Sequence, residues 1–300
     1  MSYRRSRFLA VTAIVTGLTL GVTGCGSGNT SGATASGKIN AVASTDVWGS
    51  VLSAVGGGQV AVTSIIHDPA ADPHSYETTP SDAVAVQQAQ VTLGNGGGYD
   101  DFFTKLTDQA PNAHKLVAYD IANTGDDNEH VWYDFAAVDK VADQIAAQLG
   151  QIKPDAAQTF TANATAFKKE VFELGTTAAR IGSAHPDTKI LVTEPVPHYL
   201  LRTAKLTDVT PKEFSEAVEN ETDVPPAALA EVNQLISAKQ VKVVIDNEQT
   251  VTPTTTQVVN SAKAAGVPVV GVTETLPAGA SNYISWMGSE IDALEKAVNS

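Results

Sequence analysis

The chain has 300 residues, an ordinary apolar fraction of 43% and no long charged or low-complexity block in its body, so it folds and has room for two domains, each with its own core. A formal net charge of −14 argues against nucleic acid, whose binders carry a basic stripe. It suits a soluble protein that attracts cations, although plain solubility accounts for most of it. With Cys25 as the one cysteine, there is no intrachain disulfide and no cysteine-built zinc or iron–sulfur site.

Residues 1–24 read as a targeting segment. Arg4, Arg5 and Arg7 form a basic front, and an apolar run follows from Phe8 to Val22, too short and wrongly flanked for a membrane span. It ends in Val22-Thr23-Gly24-Cys25, which resembles the bacterial lipobox, with Cys25 as the lipid acceptor. The alternative is a plain signal peptide or anchor with a chance cysteine. Cleavage before Cys25 removes three arginines and no acid, which takes the net charge to −17. Residues 25–37 are rich in Gly, Ser, Thr and Ala and predict a flexible tether.

From residue 38 strands and helices alternate. A strand over 39–43 leads to a helix whose face carries Val47, Trp48, Val51, Leu52 and Val55, stopped by Gly56-Gly57-Gly58. A strand over 60–66 runs into the loop Ala70-Ala71-Asp72-Pro73-His74, and Pro73 stiffens the backbone just before His74. Thr79, Pro80 and Asp82 then predict a capped helix over 80–90. A strand over 91–93 precedes Gly94-Asn95-Gly96-Gly97-Gly98, which lacks the Gly-Lys-Ser/Thr ending of a phosphate loop and reads as a tight turn into a helix over 99–109. A strand over 116–121 and a polar loop over 123–128 lead to Glu129-His130-Val131-Trp132, and Asp134 caps a helix ended by Gly150.

Pro154 opens the longest helical pattern, close to thirty residues, which reads as a connector between two lobes. The second half repeats the alternation: strands over 189–193, 241–245 and 267–273, with helices over 212–220, 226–240, 253–265 and about 282–298. The predicted fold is α/β, two lobes with mostly parallel sheets covered on both faces. The expected organisation is a signal peptide (1–24), a tether (25–37), an N-terminal lobe (38–152), a linking helix (153–184) and a C-terminal lobe (185–300).

In such sheets ligands bind beyond the carboxyl ends of the strands. Four metal-capable side chains stand at these ends: His74 and His130 in the first half, Glu194 and Glu274 in the second. Two imidazoles and two carboxylates suit a divalent first-row ion. Asp246 also ends a predicted strand and reads as a turn cap or a support for the site. His67 and His114 read as loop residues, His185 as a favourable charge past the linking helix, and Trp132 and Trp286 as packing residues.

These residues also carry a resemblance. Asp72-Pro73-His74-Ser75-Tyr76-Glu77, Thr79-Pro80-Ser81-Asp82, Glu129-His130-Val131-Trp132, Thr193-Glu194 with Tyr199, and Asn282-Tyr283-Ile284-Ser285-Trp286-Met287, in this order around the long helix, resemble the substrate-binding lipoproteins of bacterial metal ABC importers, the cluster A-I or TroA-like family. The resemblance implies His74, His130, Glu194 and Glu274 as successive ligands of a Mn2+ or Zn2+ ion held in the inter-lobe cleft. It further implies a lipid-anchored extracytoplasmic protein that hands its ion to a membrane permease.

The sequence departs from the family pattern in three places. Asn128-Glu129-His130 stands where Asp-Pro-His is usual, which predicts weaker stiffening at that ligand. His198 lies four residues after Glu194 and could face the site if that segment is helical. The two-histidine, two-carboxylate set resembles the manganese type, without the histidine at the third position and the long His/acid-rich loop of zinc-selective members.

A surface adhesin of the same fold is the alternative reading, supported only by the lipid anchor. A metallohydrolase is disfavoured, since there is no His-Glu-x-x-His and a full protein ligand shell leaves no place for an activated water. The expectation is therefore a monomeric binding protein, not an enzyme, with no nucleic-acid partner.

Overall fold

The computed structural model describes residues 37–69 and 71–300. The targeting segment, Cys25 and the tether through residue 36 lie outside the described residues.

The first lobe is built on β1 (Ile39–Thr45), α1 (Asp46–Gly56), β2 (Val60–Ile66), α2 (Pro80–Gln87), β3 (Val91–Gly94), α3 (Asp101–Thr107), β4 (His114–Val117), α4 (Ala118–Ala122) and α5 (Phe135–Ile152). Helix α6 (Ala157–Ala184) crosses to the second lobe, formed by β5 (Lys189–Val192), α7 (His198–Thr203), β6 (Thr207–Asp208), α8 (Lys212–Glu219), α9 (Pro226–Ser237), β7 (Val243–Asn247), α10 (Pro253–Ala265), β8 (Val269–Val272) and α11 (Tyr283–Asn299).

Each sheet has four strands, every pair is parallel, and the orders β2-β1-β3-β4 and β6-β5-β7-β8 are the same topology used twice. Parallel pairing aligns all strand ends, so the loops that follow β2, β5, β7 and β8 emerge on the carboxyl side of their sheets, where an open α/β sheet places its ligands.

Helix starts follow local chemistry. Thr79 and Asp82 exchange the two bonds of a capping box at α2, with Thr79 N donating to Asp82 Oδ2 at 2.7 Å and Asp82 N to Thr79 Oγ1 at 3.3 Å. Asp134 Oδ1 accepts from Ala136 N at 3.0 Å at the start of α5. Asn282 caps α11 by accepting from Ser285 N at 2.9 Å.

Several expectations give way. The predicted strand over 116–121 stops at Val117, and 118–122 turn into α4, whose Ala118 and Ala122 are both buried at helical spacing. Helix α5 runs past Gly150 to Ile152; a Cβ at Gly150 would lie 3.2 Å from that of Ala157, so the glycine serves the close approach of α6 instead of ending the helix. The residues after Pro154 form one 3-10 turn before α6 begins. Asp246 lies inside β7, paired with Gly271, and Asn247 ends that strand.

The two lobes share their largest core. One apolar cluster runs from Ile39, Trp48 and Leu93 through Val138, Phe160 and Phe167 to Val192, Ile245, Trp286 and Ile291. The reason is the helical layer between the sheets: α1, α5, α6 and α11 turn apolar stripes toward one another and share them. Two smaller clusters lie apart from it, one around Phe102 and Phe103 and one around Phe214 and Val232. Residues 37–300 thus form one compact unit. Among the described residues no helix is long and apolar enough to cross a membrane.

Candidate metal centre

Both candidate histidines are held by the same local device. Asp72 Oδ1 accepts from the backbone N–H of His74 at 2.8 Å, and Asn128 Oδ1 accepts from that of His130 at 3.0 Å. Each is an Asx turn, a short polar side chain bonding the backbone two residues on. Asp72 Oδ2 also accepts from Ser75 Oγ at 2.7 Å.

The Asn128 loop is therefore not slack, despite lacking the proline. Asn95 Nδ2 donates to Glu129 O at 2.9 Å, Tyr199 Oη to Asn128 O at 2.7 Å, and Asn128 Nδ2 to Pro195 O at 3.0 Å. The last bond fixes the amide orientation, because a carbonyl can only accept. Asn128 Oδ1 then lies 3.2 Å from His130 Nδ1, which must donate to it. That selects the tautomer with a bare lone pair on Nε2. Burial, helped by the neighbouring His74 and His198, pushes the His130 imidazole down to about 3, so the ring is neutral.

Glycines 96–98 form a turn with all three residues in the left-handed region. Asp100 closes it by accepting from Asn95 N at 2.6 Å and Gly96 N at 2.7 Å. Tyr99, at its end, separates the two imidazoles: His74 meets its ring edge-on at 5.0 Å, and Trp132 packs between Tyr99 (4.6 Å) and His130 (5.1 Å). The tryptophan is packing, as expected.

His130 Nε2 lies 3.4 Å from Glu219 Oε1, and His74 Nε2 lies 4.0 Å from the same oxygen. His74, Glu129, His130 and Glu219 can place one ligand atom each within 4.8 Å of one another. The predicted quartet and this geometric quartet share the two histidines. Glu194 and Glu274, 4% and 6% exposed, interact through charge with each other and with Glu219 but stand outside that tightest group.

Among the buried atoms without a hydrogen-bond partner are Tyr99 Oη, His130 Nε2, Glu194 Oε2, Glu219 Oε1 and Glu274 Oε2. Buried polar atoms are nearly always paired, so their gathering here marks a candidate site. Burial raises the Glu219 carboxyl to about 9, with the charges of Glu194, Glu274 and Glu129 adding to it. Burial and Glu274 raise Glu194 to about 8, and burial raises Glu274. A cation among these carboxylates opposes all three shifts, because it favours their charged forms.

His198 does not join the group. The segment from Glu194 to Pro197 is bend and turn, α7 begins only at His198, and the His198 ring turns to Asp126 Oδ2 at 3.1 Å on the rim. Asp246 also stays out; burial and the nearby Glu248 raise it to about 6. The residues that support the carboxylates went unnoticed in the sequence. Asn247 Nδ2 donates to Glu274 Oε1 at 2.7 Å. Gln249 Oε1 accepts from Glu274 N and Thr275 N, while its Nε2 reaches Pro69 O in the first lobe. Glu219, which the geometry adds to the candidate group, sits at a helix end and follows no strand, so no strand-end signal points to it.

The family model of ZnuA, described as zinc-uptake complex component A, periplasmic, matches residues 41–297. The manganese-binding lipoprotein MntA of Halalkalibacterium halodurans is 29% identical over 157 residues, 50% of this chain and 52% of that protein. MntA of Bacillus subtilis is 28% identical over 165 residues, 51% and 53% of the two chains. The chain thus spans about half the length of these two relatives. The manganese ABC transporter substrate-binding lipoprotein scaA of Streptococcus gordonii is 24% identical over 247 residues, 77% of this chain and 73% of that one. Among solved structures, the periplasmic zinc binding protein TroA from Treponema pallidum superposes with a TM-score of 0.74 at 16% identity, covering 87% of this chain and 99% of that one. A mutant of the laminin-binding adhesin Lmb from Streptococcus agalactiae gives 0.71 at 19% identity, with the same coverage. At such identities the structures show a shared fold.

Proposed function

Because the chain belongs to the ZnuA family, the periplasmic component of zinc-uptake complexes, we propose that it captures one divalent transition-metal ion, Mn2+ or Zn2+, as cargo and delivers it to the permease of an ABC-type importer. The observation that supports this reading is the group of His74, Glu129, His130 and Glu219, whose ligand atoms lie within 4.8 Å of one another, with Glu194 and Glu274 acting on Glu219 through charge. His74 and His130 supply nitrogens from the first lobe; Glu194 and Glu274 supply carboxylate oxygens from the second. The donor set is mixed nitrogen and oxygen, as first-row divalent ions take.

Capture draws the two half-sites together. The shared core and the bonds across the rim keep that movement small, a shear of packed layers instead of a wide hinge. Release requires the permease to disturb one half-site. The protein acts as a monomer, performs no turnover, and is tethered outside the membrane through a lipid on Cys25. The adhesin reading draws on no residue of the crevice.

The test replaces His74 and His130 together by alanine and titrates ZnCl2 and MnCl2 by calorimetry under chelator control. Loss of both affinities is the expected result; unchanged affinities would overturn the proposal. Elemental analysis of protein purified without added metal identifies the cargo.

A further inference from the structure

Glu219 is hard to explain as a folding residue. It is the last residue of α8, where the helix macrodipole disfavours a negative charge. Its side chain is only 13% exposed, and the carboxylates of Glu194, Glu274 and Glu129 all act on it. Among the described residues its ion-pair contacts are the two histidines and no lysine or arginine. Three penalties fall on this residue when it is charged, and no lysine or arginine among its ion-pair contacts offsets them. Residues that break local rules in this way belong to functional sites.

A second observation points to what offsets them. His130 Nε2, fully buried and unpartnered, is aimed at Glu219 Oε1 from 3.4 Å. A lone pair and a carboxylate oxygen held that close need a proton or a cation between them, and a cation would serve His74 Nε2, 4.0 Å from the same oxygen, as well.

We infer that Glu219 is a fifth ligand to the cargo ion, giving the site three carboxylates and two imidazoles and favouring a six-coordinate, oxygen-preferring divalent ion of the Mn2+ class. The inference rests on the proposed reading of the crevice as a metal site. Zinc is satisfied by four donors near tetrahedral geometry, which His74, His130, Glu194 and Glu274 already supply. A fifth donor is surplus to zinc, whereas a harder ion of higher coordination number gains from each added oxygen and each added negative charge. Zinc still binds more tightly than manganese at almost any such site. Glu219 therefore narrows the gap without inverting it.

The test compares Glu219→Gln with the parent protein. Gln keeps the size of the side chain and removes its charge. Affinities for MnCl2 and ZnCl2 are measured by competition against chelators, and the melting temperature is measured in chelator alone. The expected result is a loss of Mn2+ affinity on the order of tenfold to a hundredfold, a smaller loss for Zn2+, and a higher melting temperature without metal. Equal losses for both ions would overturn the inference. So would unchanged affinities in Glu219→Gln while His130→Ala abolishes binding, which leaves the transport reading standing. If neither variant alters binding, both readings fall.

Discussion

Glu290 reaches from α11 to the hydroxyl of Tyr133, 2.7 Å away, and that hydroxyl also lies 2.7 Å from the carbonyl of Thr273. A hydroxyl has one proton, and a carbonyl can only accept, so Tyr133 donates to Thr273 and Glu290 must bring the proton for the other contact. Burial raises the Glu290 carboxyl to about 8, which keeps it neutral at pH 7. Tyr133 follows His130 by three residues, and Thr273 precedes Glu274. A protonated glutamate thus ties the two half-sites together through the core.

Glu290→Gln is expected to be tolerated, because an amide reproduces the donor to Tyr133 and the acceptor for Thr273 N (3.1 Å) and Trp286 Nε1 (2.8 Å). Glu290→Leu strands these groups and should destabilise the protein by about 3 kcal/mol. Urea denaturation distinguishes the two; equal damage from both variants would show that Glu290 is charged.

Metal-free stability should fall as pH rises between about 6.5 and 9. The carboxyls of Glu194 and Glu219 hold protons in the folded state up to about 8 and about 9, while the unfolded chain releases them near the ordinary carboxylate value. Their contribution is complete below that ordinary value and is lost as pH climbs through the folded values. His130 works in the opposite direction, but only between about 3 and 6.5, where the unfolded chain takes up a proton that the buried ring refuses. Melting curves across this range, with and without saturating MnCl2, check the point. A metal-free profile without slope would contradict it.

Metal uptake should release protons for the same reason. Calorimetric titrations at pH 7 in two buffers of different ionisation enthalpy should give different apparent heats, and affinity should rise with pH. Identical heats in both buffers would mean the carboxylates are already ionised.

Asn128→Ala should weaken metal binding on the order of tenfold to a hundredfold while His74, Glu194 and Glu274 stay in place. The substitution removes the acceptor that holds the His130 tautomer and the bond to Pro195. Competition titration with ZnCl2 measures it. A change of less than about twofold would mean that His130 is oriented by packing against Trp132 alone.

Gly97→Ala should cost about 1–2 kcal/mol from its φ of 72° alone. The new Cβ would also lie 2.9 Å from the Tyr119 ring and 3.0 Å from Glu129 Cβ, pushing on the residue beside His130. Stability and ZnCl2 affinity are expected to fall together. Loss of stability with affinity intact would separate this turn from the centre.

The alternation of strands and helices, the capping box at Thr79, the cap at Asp134 and the long α6 follow from short stretches of sequence, because they depend on propensity, periodicity and neighbours a few residues away. The loops that present His74 and His130 were legible for the same reason, each marked by a stiff or polar residue just before the histidine. Helix α4 was misread as strand because a short apolar run fits either period. The shared core, Glu219, Asn247, Gln249 and the Tyr133–Glu290 tie were not legible. Each depends on residues far apart in the chain, up to 180 positions between Pro69 and Gln249, meeting only once the second sheet is laid against the first. Local sequence decides which residues can become donors. Only the packing of the two lobes decides which donors face the same point, because that depends on distance in space and not on order along the chain.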